Sequence, residues 1–129
     1  MTIQGPSGLL FVDDGGTGQQ TPVVFIHSLA GNTTQWKPQL SHVRRTRRAI
    51  ALDLRGHGRS EPPTDGRFDL NAYAADVHAV MDTRGVQRAV LVGHSLGGGV
   101  VAAFAGQWPD RTAGVLFVDP IDDPSKRPV

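Results

Sequence analysis

Residues 89–99 read Ala89-Val90-Leu91-Val92-Gly93-His94-Ser95-Leu96-Gly97-Gly98-Gly99. A short apolar run passes into Gly-x-Ser-x-Gly, and small residues follow where a helix would begin. This is the sequence form of a nucleophile elbow, a strand turning sharply into a helix with a serine at the apex. A serine in a strained backbone conformation needs neighbours without bulk, and Gly93 and Gly97 flank Ser95 two residues to either side. A helix that starts at the serine aims unpaired N–H groups and its positive dipole end where an oxyanion would form. Gly98, Gly99, Ala102 and Ala103 would let that helix lie close to a sheet. Gly-x-Ser-x-Gly alone is weak; between a strand pattern and a helix pattern it is specific.

Working outward, three more apolar runs share the character of the elbow strand. Val23-Val24-Phe25-Ile26 and Ala49-Ile50-Ala51-Leu52-Asp53 precede it, and Gly114-Val115-Leu116-Phe117-Val118-Asp119 follows. The first two read as buried strands of the kind parallel sheets require, and the third as a last apolar strand. Leu9 to Val12 is a further strand candidate, ended by the turn Asp13-Asp14-Gly15-Gly16. Helix patterns lie between. A short one covers Trp36 to Val43, with Pro38 acceptable only in a first turn. A longer one is capped by Asp69, runs to about Arg84 and closes at Gly85 as a left-handed residue. Its stripe is Leu70, Tyr73, Ala74, Val77, Val80 and Met81. The elbow helix spans roughly 97–108 and stops at Pro109. Strands alternating with helices give an α/β class with a mainly parallel sheet, flanking helices and right-handed crossovers. Ligands on such sheets bind beyond the carboxyl ends of the strands, and His27, Asp53, Ser95 and Asp119 all fall at that edge.

At 129 residues one domain is expected, with residues 1–8 and 120–129 lacking fixed structure. Thirteen basic residues nearly balance twelve acidic ones, which argues against nucleic acid or an anionic membrane as the main partner. Arg44, Arg45, Arg47 and Arg48 read as a solvated helix end in preference to a phosphate patch. There is no cysteine, which excludes disulfides, thiolate catalysis and cysteine-ligated metal. No apolar run approaches the ~20 residues of a membrane span, and Met1 to Leu10 does not read as a signal peptide. The expectation is a cytoplasmic protein without metal or cofactor.

Three stretches taken together resemble the α/β-hydrolase family: Val24-Phe25-Ile26-His27-Ser28-Leu29-Ala30-Gly31, Asp53-Leu54-Arg55-Gly56-His57-Gly58-Arg59-Ser60 and Leu91-Val92-Gly93-His94-Ser95-Leu96-Gly97-Gly98. Their order and spacing are similar to the esterase, haloperoxidase and C–C hydrolase branch. The resemblance runs from about Leu9 to Asp119 and covers only the N-terminal part of that fold, without its last strands or lid. It implies that Ser95 is the nucleophile, with the backbone N–H groups of Leu96 and Leu29 as an oxyanion hole. Ser28 stands where the family usually has glycine. A serine at the nucleophile position, Ser95, also argues against the branches with an aspartate nucleophile.

The resemblance further implies a triad in the order serine, acid, histidine. Asp119 is the candidate acid, against a plain reading as a polar strand end before Pro120. No histidine follows His94. Of the five histidines, His27 and His57 are the surrogates to test as base, each with a structural reading beside the catalytic one. His42 and His78 read as solvent-facing, and His94 as diverging from its neighbour. Two functions follow. One is a serine hydrolase acting on small carboxylic esters through an acyl-enzyme. The other is a partial hydrolase fold, weak or inactive, that binds or self-associates as a homodimer through the strand edge at Val115–Val118. Nucleotide binding at Gly93–Gly99 fits neither glycine-rich phosphate motif.

Overall fold

The computed structural model describes residues 1–118. Six strands form one sheet: β1 Thr2–Gly5, β2 Gly8–Gly15, β3 Val23–Ile26, β4 Ala49–Leu52, β5 Ala89–His94 and β6 Thr112–Val118. Their order is β1-β2-β4-β3-β5-β6. β1 and β2 enter antiparallel, and β4, β3, β5 and β6 run parallel. The parallel connections carry α1 Lys37–Val43, α2 Leu70–Thr83 and α3 Leu96–Gln107. A mainly parallel sheet with flanking helices is therefore the architecture found.

Alternation along the central strands divides the core in two. Val23 and Phe25 of β3 and Ala49 and Ala51 of β4 join Trp36 and Leu40 on the α1 side. Val24, Ile26, Ile50 and Leu52 face the other way, with Tyr73, Val77 and Met81 of α2 and Val100, Val101 and Phe104 of α3. Both faces are covered, which is why these four-residue strands are apolar at every position. Asp69 caps α2, its carboxylate accepting the Ala72 N–H at 2.9 Å, and Gly85 follows the helix at φ 69°. The stripe is buried apart from Leu70.

Two features depart from the sequence expectation. Thr2–Gly5, expected to lack fixed structure, pairs along β2, and Met1 donates from its ammonium to the Val12 carbonyl at 3.0 Å. Ile3 and Gly5 bury while Thr2 and Gln4 stay exposed; a strand this short offers too few alternations to be recognised. Of the arginines after α1, Arg45 is exposed as expected, but Arg44 and Arg48 tie down the end of β2 instead of lying free in solvent. Arg44 pairs with Asp13 at 2.9 Å, while Arg48 and Arg84 converge on Asp14 at 2.6 and 2.7 Å. Burial alone would raise the Asp14 carboxyl, but hydrogen bonds from Arg48 and Arg84 outweigh it and hold the group below its usual range.

A buried ion pair fixes α2 to the loop after β4. The Arg55 guanidinium grips Asp76 with two bonds of 2.7 Å, and its remaining N–H groups reach the Ala72 and Arg67 carbonyls and Asp65. Burial pushes the Asp76 carboxyl up against the pull of Arg55. No helix among the described residues is long and apolar enough to cross a membrane. Asp119 and residues 120–129 lie outside the described residues.

Candidate active site

The chain leaves β3 toward β4 on one side and leaves β5 toward β6 on the other. The loops beyond the two strands therefore part, opening a crevice at the carboxyl edge of the sheet. His27-Ser28-Leu29-Ala30 forms one bank and His94-Ser95-Leu96 the other.

Ser95 occupies the turn between β5 and α3 at φ 55°, ψ −111°. Only it and Ala30 (φ 61°) have positive φ among the described non-glycine residues, one on each bank. Such backbone costs on the order of 1–3 kcal/mol and persists only where the surroundings impose it. Here they do. The Ser95 N–H donates to the Val118 carbonyl at 3.3 Å, and its own carbonyl accepts the Gly98 N–H at 2.9 Å. A Cβ on Gly93 would lie 2.2 Å from the Gly97 carbonyl oxygen, and one on Gly97 would lie 2.2 Å from that of Ile26. The first turn of α3 thus rests on the end of β3 and draws the banks together. Gly97 makes the nearest approach to β3. Of the residues expected to let the helix lie close, Gly98 lies against β6 with its Cβ position 3.2 Å from the Phe117 ring, whereas Gly99 faces Leu70 of α2 and Ala102 is exposed.

The Leu29 and Leu96 N–H groups make no backbone hydrogen bond among the described residues. Ser95 Oγ does not bond back to the α3 N–H groups it precedes. Among the described residues, the arrangement gathers backbone donors and a hydroxyl around one crevice. It is suited to holding an anionic centre beside a nucleophile.

The histidines fall into different settings, and of those expected to face solvent only His78 departs from expectation. His27 is fully buried; its Nδ1 lies 2.7 Å from the Ser28 carbonyl and its Nε2 accepts the Leu54 N–H at 2.9 Å. A carbonyl only accepts and an N–H only donates, so the ring is neutral with its proton on Nδ1. Burial pushes its pKa down, against the Ser28 bond. No lone pair remains to take a proton from Ser95, and His27 is a structural strut between the β3 and β4 loops. His57 packs 5.1 Å from the His27 ring and donates from Nδ1 to the Arg55 carbonyl at 3.0 Å. His42 is exposed on α1. His78 is not simply solvent-facing: it stacks on Trp108 at 4.3 Å and accepts a hydrogen bond from Arg111.

Two further residues organise the banks: Asp53, which the sequence already places at this edge, and Gln35, which sequence reasoning left unmarked. Asp53, buried at the end of β4, accepts the Thr33 N–H at 2.7 Å and the Arg59 N–H at 2.9 Å, stapling two loops. Gln35 accepts both the N–H and the hydroxyl of Ser28 on its Oε1, at 3.2 and 3.1 Å, and faces His94 Nδ1 with its Nε2 at 3.1 Å. Only the three-dimensional fold places Gln35 beside the elbow, so no spacing in the chain could have marked it.

On the α1 face of the sheet, away from Ser95, an open apolar groove of about 590 Å³ is lined by Phe25, Pro38, Val43, Val90, Val92 and Leu116, among others. It leads to the outer edge of β6, where Leu116, Phe117 and Val118 are exposed.

Comparison with known proteins matches this architecture. The profile of a family described as the alpha/beta hydrolase fold matches residues 21–127. A non-heme chloroperoxidase of Burkholderia pyrrocinia is 39% identical over 116 residues, covering 87% of this chain and 41% of that protein. A bifunctional esterase/perhydrolase of Acinetobacter calcoaceticus is 40% identical over 102 residues, 78% of this chain and 37% of its own length. Among solved structures, a thermophilic esterase from Thermogutta terrifontis superposes with TM-score 0.86 at 30% identity, covering 97% of this chain and 48% of that one. Est816, described as an N-acyl homoserine lactone degrading enzyme, gives TM-score 0.87 at 32% identity over 93% of this chain and 45% of its own. The chain spans less than half the length of each of these relatives. With its sheet order, its strained serine turn and a family match over most of its length, the chain belongs to the alpha/beta hydrolase family.

Proposed function

We propose that the chain carries the nucleophile and oxyanion-binding part of a serine hydrolase that acts on small carboxylic esters through an acyl-enzyme. The observation that carries this reading is the conformation of Ser95, held at φ 55° by glycines that admit no side chain. In this reading Ser95 Oγ attacks the ester carbonyl, and the oxyanion is received by the N–H groups of Leu29 and Leu96. The alkoxide leaves with a proton, giving a Ser95 ester that water then hydrolyses. Ser28 lines the oxyanion loop, and Asp119 is proposed as the acid. The esterase named among the relatives supports the substrate class. Both ring nitrogens of His27 are committed to backbone, so in this reading the proton of Ser95 goes to a base other than His27. Loss of the histidine from a serine protease costs about 10⁶ in rate, while oxyanion binding alone leaves roughly 10³ to 10⁴ over water. Residues 1–118 would therefore turn over activated esters slowly.

The test is covalent labelling by a fluorophosphonate probe with mass mapping. Label on Ser95, absent in Ser95→Ala, is the expected result, together with loss of p-nitrophenyl acetate turnover in that variant. An unlabelled wild-type protein removes this reading.

A second reading, self-association, is favoured by exposed Leu116, Phe117 and Val118 on the outer edge of β6, beside the apolar groove. Unpaired strand edges of this kind add further strands. The 129-residue chain is then expected to be dimeric by light scattering, and Phe117→Lys to shift it toward monomer. A wild-type chain that stays monomeric at high concentration counts against this reading.

A further inference from the structure

The Gln35 carboxamide spans the crevice, and its two ends cannot be exchanged. The Ser28 backbone N–H can only donate, so the atom it meets at 3.2 Å is Oε1. The Ser28 hydroxyl donates to the same oxygen at 3.1 Å. Nε2 is then the end facing His94, and an amide nitrogen only donates, so His94 Nδ1 must accept at 3.1 Å. His94 is thereby fixed as the tautomer with its proton on Nε2. The loop is folded around this amide. Gly31 donates its N–H to the Ser28 carbonyl at 2.9 Å, and a Cβ on Gly31 would lie 2.5 Å from Gln35 Oε1. Ala30, between them, holds the left-handed conformation at φ 61°. Leu29 lies between the residue that Gln35 grips and the residue cleared to admit it.

We infer that Gln35 is a positioning residue: it ties the loop bearing the Leu29 N–H to His94, the residue before the nucleophile, and so sets the oxyanion donor against Ser95. This rests on the ester-hydrolase reading for its effect on rate, but the bridge itself does not. The Leu29 peptide makes no backbone hydrogen bond among the described residues that would hold it in place. Its direction is inherited from its neighbours. Misplacement of a reacting group by about 1 Å costs on the order of 10² in rate, and releasing Ser28 from Gln35 frees the loop to make such a shift.

The test compares wild type, Gln35→Leu and Gln35→Glu in three measurements: the rate of fluorophosphonate labelling at Ser95, the ¹⁵N signature of the His94 ring by NMR, and thermal unfolding. In Gln35→Leu, labelling is expected to slow roughly tenfold to a hundredfold while the fold is kept, and His94 Nδ1 loses its hydrogen-bonded acceptor signature. In Gln35→Glu the carboxylate still accepts from Ser28 but cannot donate to His94. Labelling should largely recover, while His94 moves its proton to Nδ1. Rescue of rate with reversal of the tautomer is a pattern that a general packing role does not produce. Labelling of Gln35→Leu at the wild-type rate, or a His94 signature indifferent to both substitutions, overturns the inference. If wild type is not labelled at all, the ester-hydrolase reading fails; the His94 signature in Gln35→Leu then decides the bridge.

Discussion

Gly97→Ala is expected to unfold the protein, or to remove more than ~4 kcal/mol of its stability. The added Cβ would sit 2.2 Å from the Ile26 carbonyl oxygen and 2.8 Å from that of His27, both backbone atoms at the end of a central strand. No rotamer change relieves a clash with main chain. Either α3 lifts from β3, opening the core around Val100 and Phe104, or β3 gives up its register. Gly93→Ala meets the same obstacle from inside the elbow, with the Gly97 carbonyl at 2.2 Å. The control lies in the same helix. Gly106 has nothing within 4 Å of its Cβ position, and Gly106→Ala is expected to gain about 0.5–1 kcal/mol by restricting the unfolded chain. Urea unfolding followed by circular dichroism reads all three. A Gly97→Ala protein within ~1 kcal/mol of wild type would show that helix and strand do not approach so closely.

The second large effect is expected at the Arg55–Asp76 pair. Asp76→Ala should cost about 3–5 kcal/mol, because it leaves the Arg55 charge buried without its main partner. Arg55 is 3% exposed and Asp76 1%, so water cannot replace the lost contact. Asp65, 3.2 Å from the same guanidinium, is the remaining carboxylate and lies mostly in solvent. The double variant Arg55→Met/Asp76→Ala should be more stable than the sum of the two single losses predicts, since no buried charge is then stranded. Additive losses in that cycle would mean that the two side chains act separately. The pair also anchors the loop that carries His57, so Asp76→Ala should expose that loop to proteolysis before global unfolding.

The sequence made the architecture legible where signals were local and repeated. Four apolar runs, one clean helical stripe capped by Asp69, and Gly-x-Ser-x-Gly placed the parallel strands, α2, α3 and the elbow close to where they lie. β1 escaped because it is four residues long and half polar. The role of Asp76 escaped because an acidic residue beside an apolar stripe looks like the border of a solvated face. Only the fold shows that the Arg55 loop closes over it. His27 was read from its place at the strand edge, which is correct as position. Its chemistry was set by two hydrogen bonds to backbone, one with the adjacent Ser28 and one with Leu54 in the loop after β4. Gln35 carries no pattern, because its three bonds join segments that the sheet brings together. Ser28 was conspicuous as a departure from glycine, and its hydroxyl proves to be one of the groups that Gln35 holds.

The contacts of Ser95 bear on how the elbow can be reused. Its conformation depends on the Val118 carbonyl from β6 and on the bare flank of Gly97 against Ile26 in β3. Residues 89–107 spliced into another protein would bring the letters of the motif and leave its constraints behind. A host would accept the graft only if it offered a parallel strand on each side of the incoming one. One of those strands must end in a carbonyl at helix-contact distance, and the other must present an acceptor to the serine amide. The unit that transfers is three strands wide, and a search for scaffolds should be made on that width.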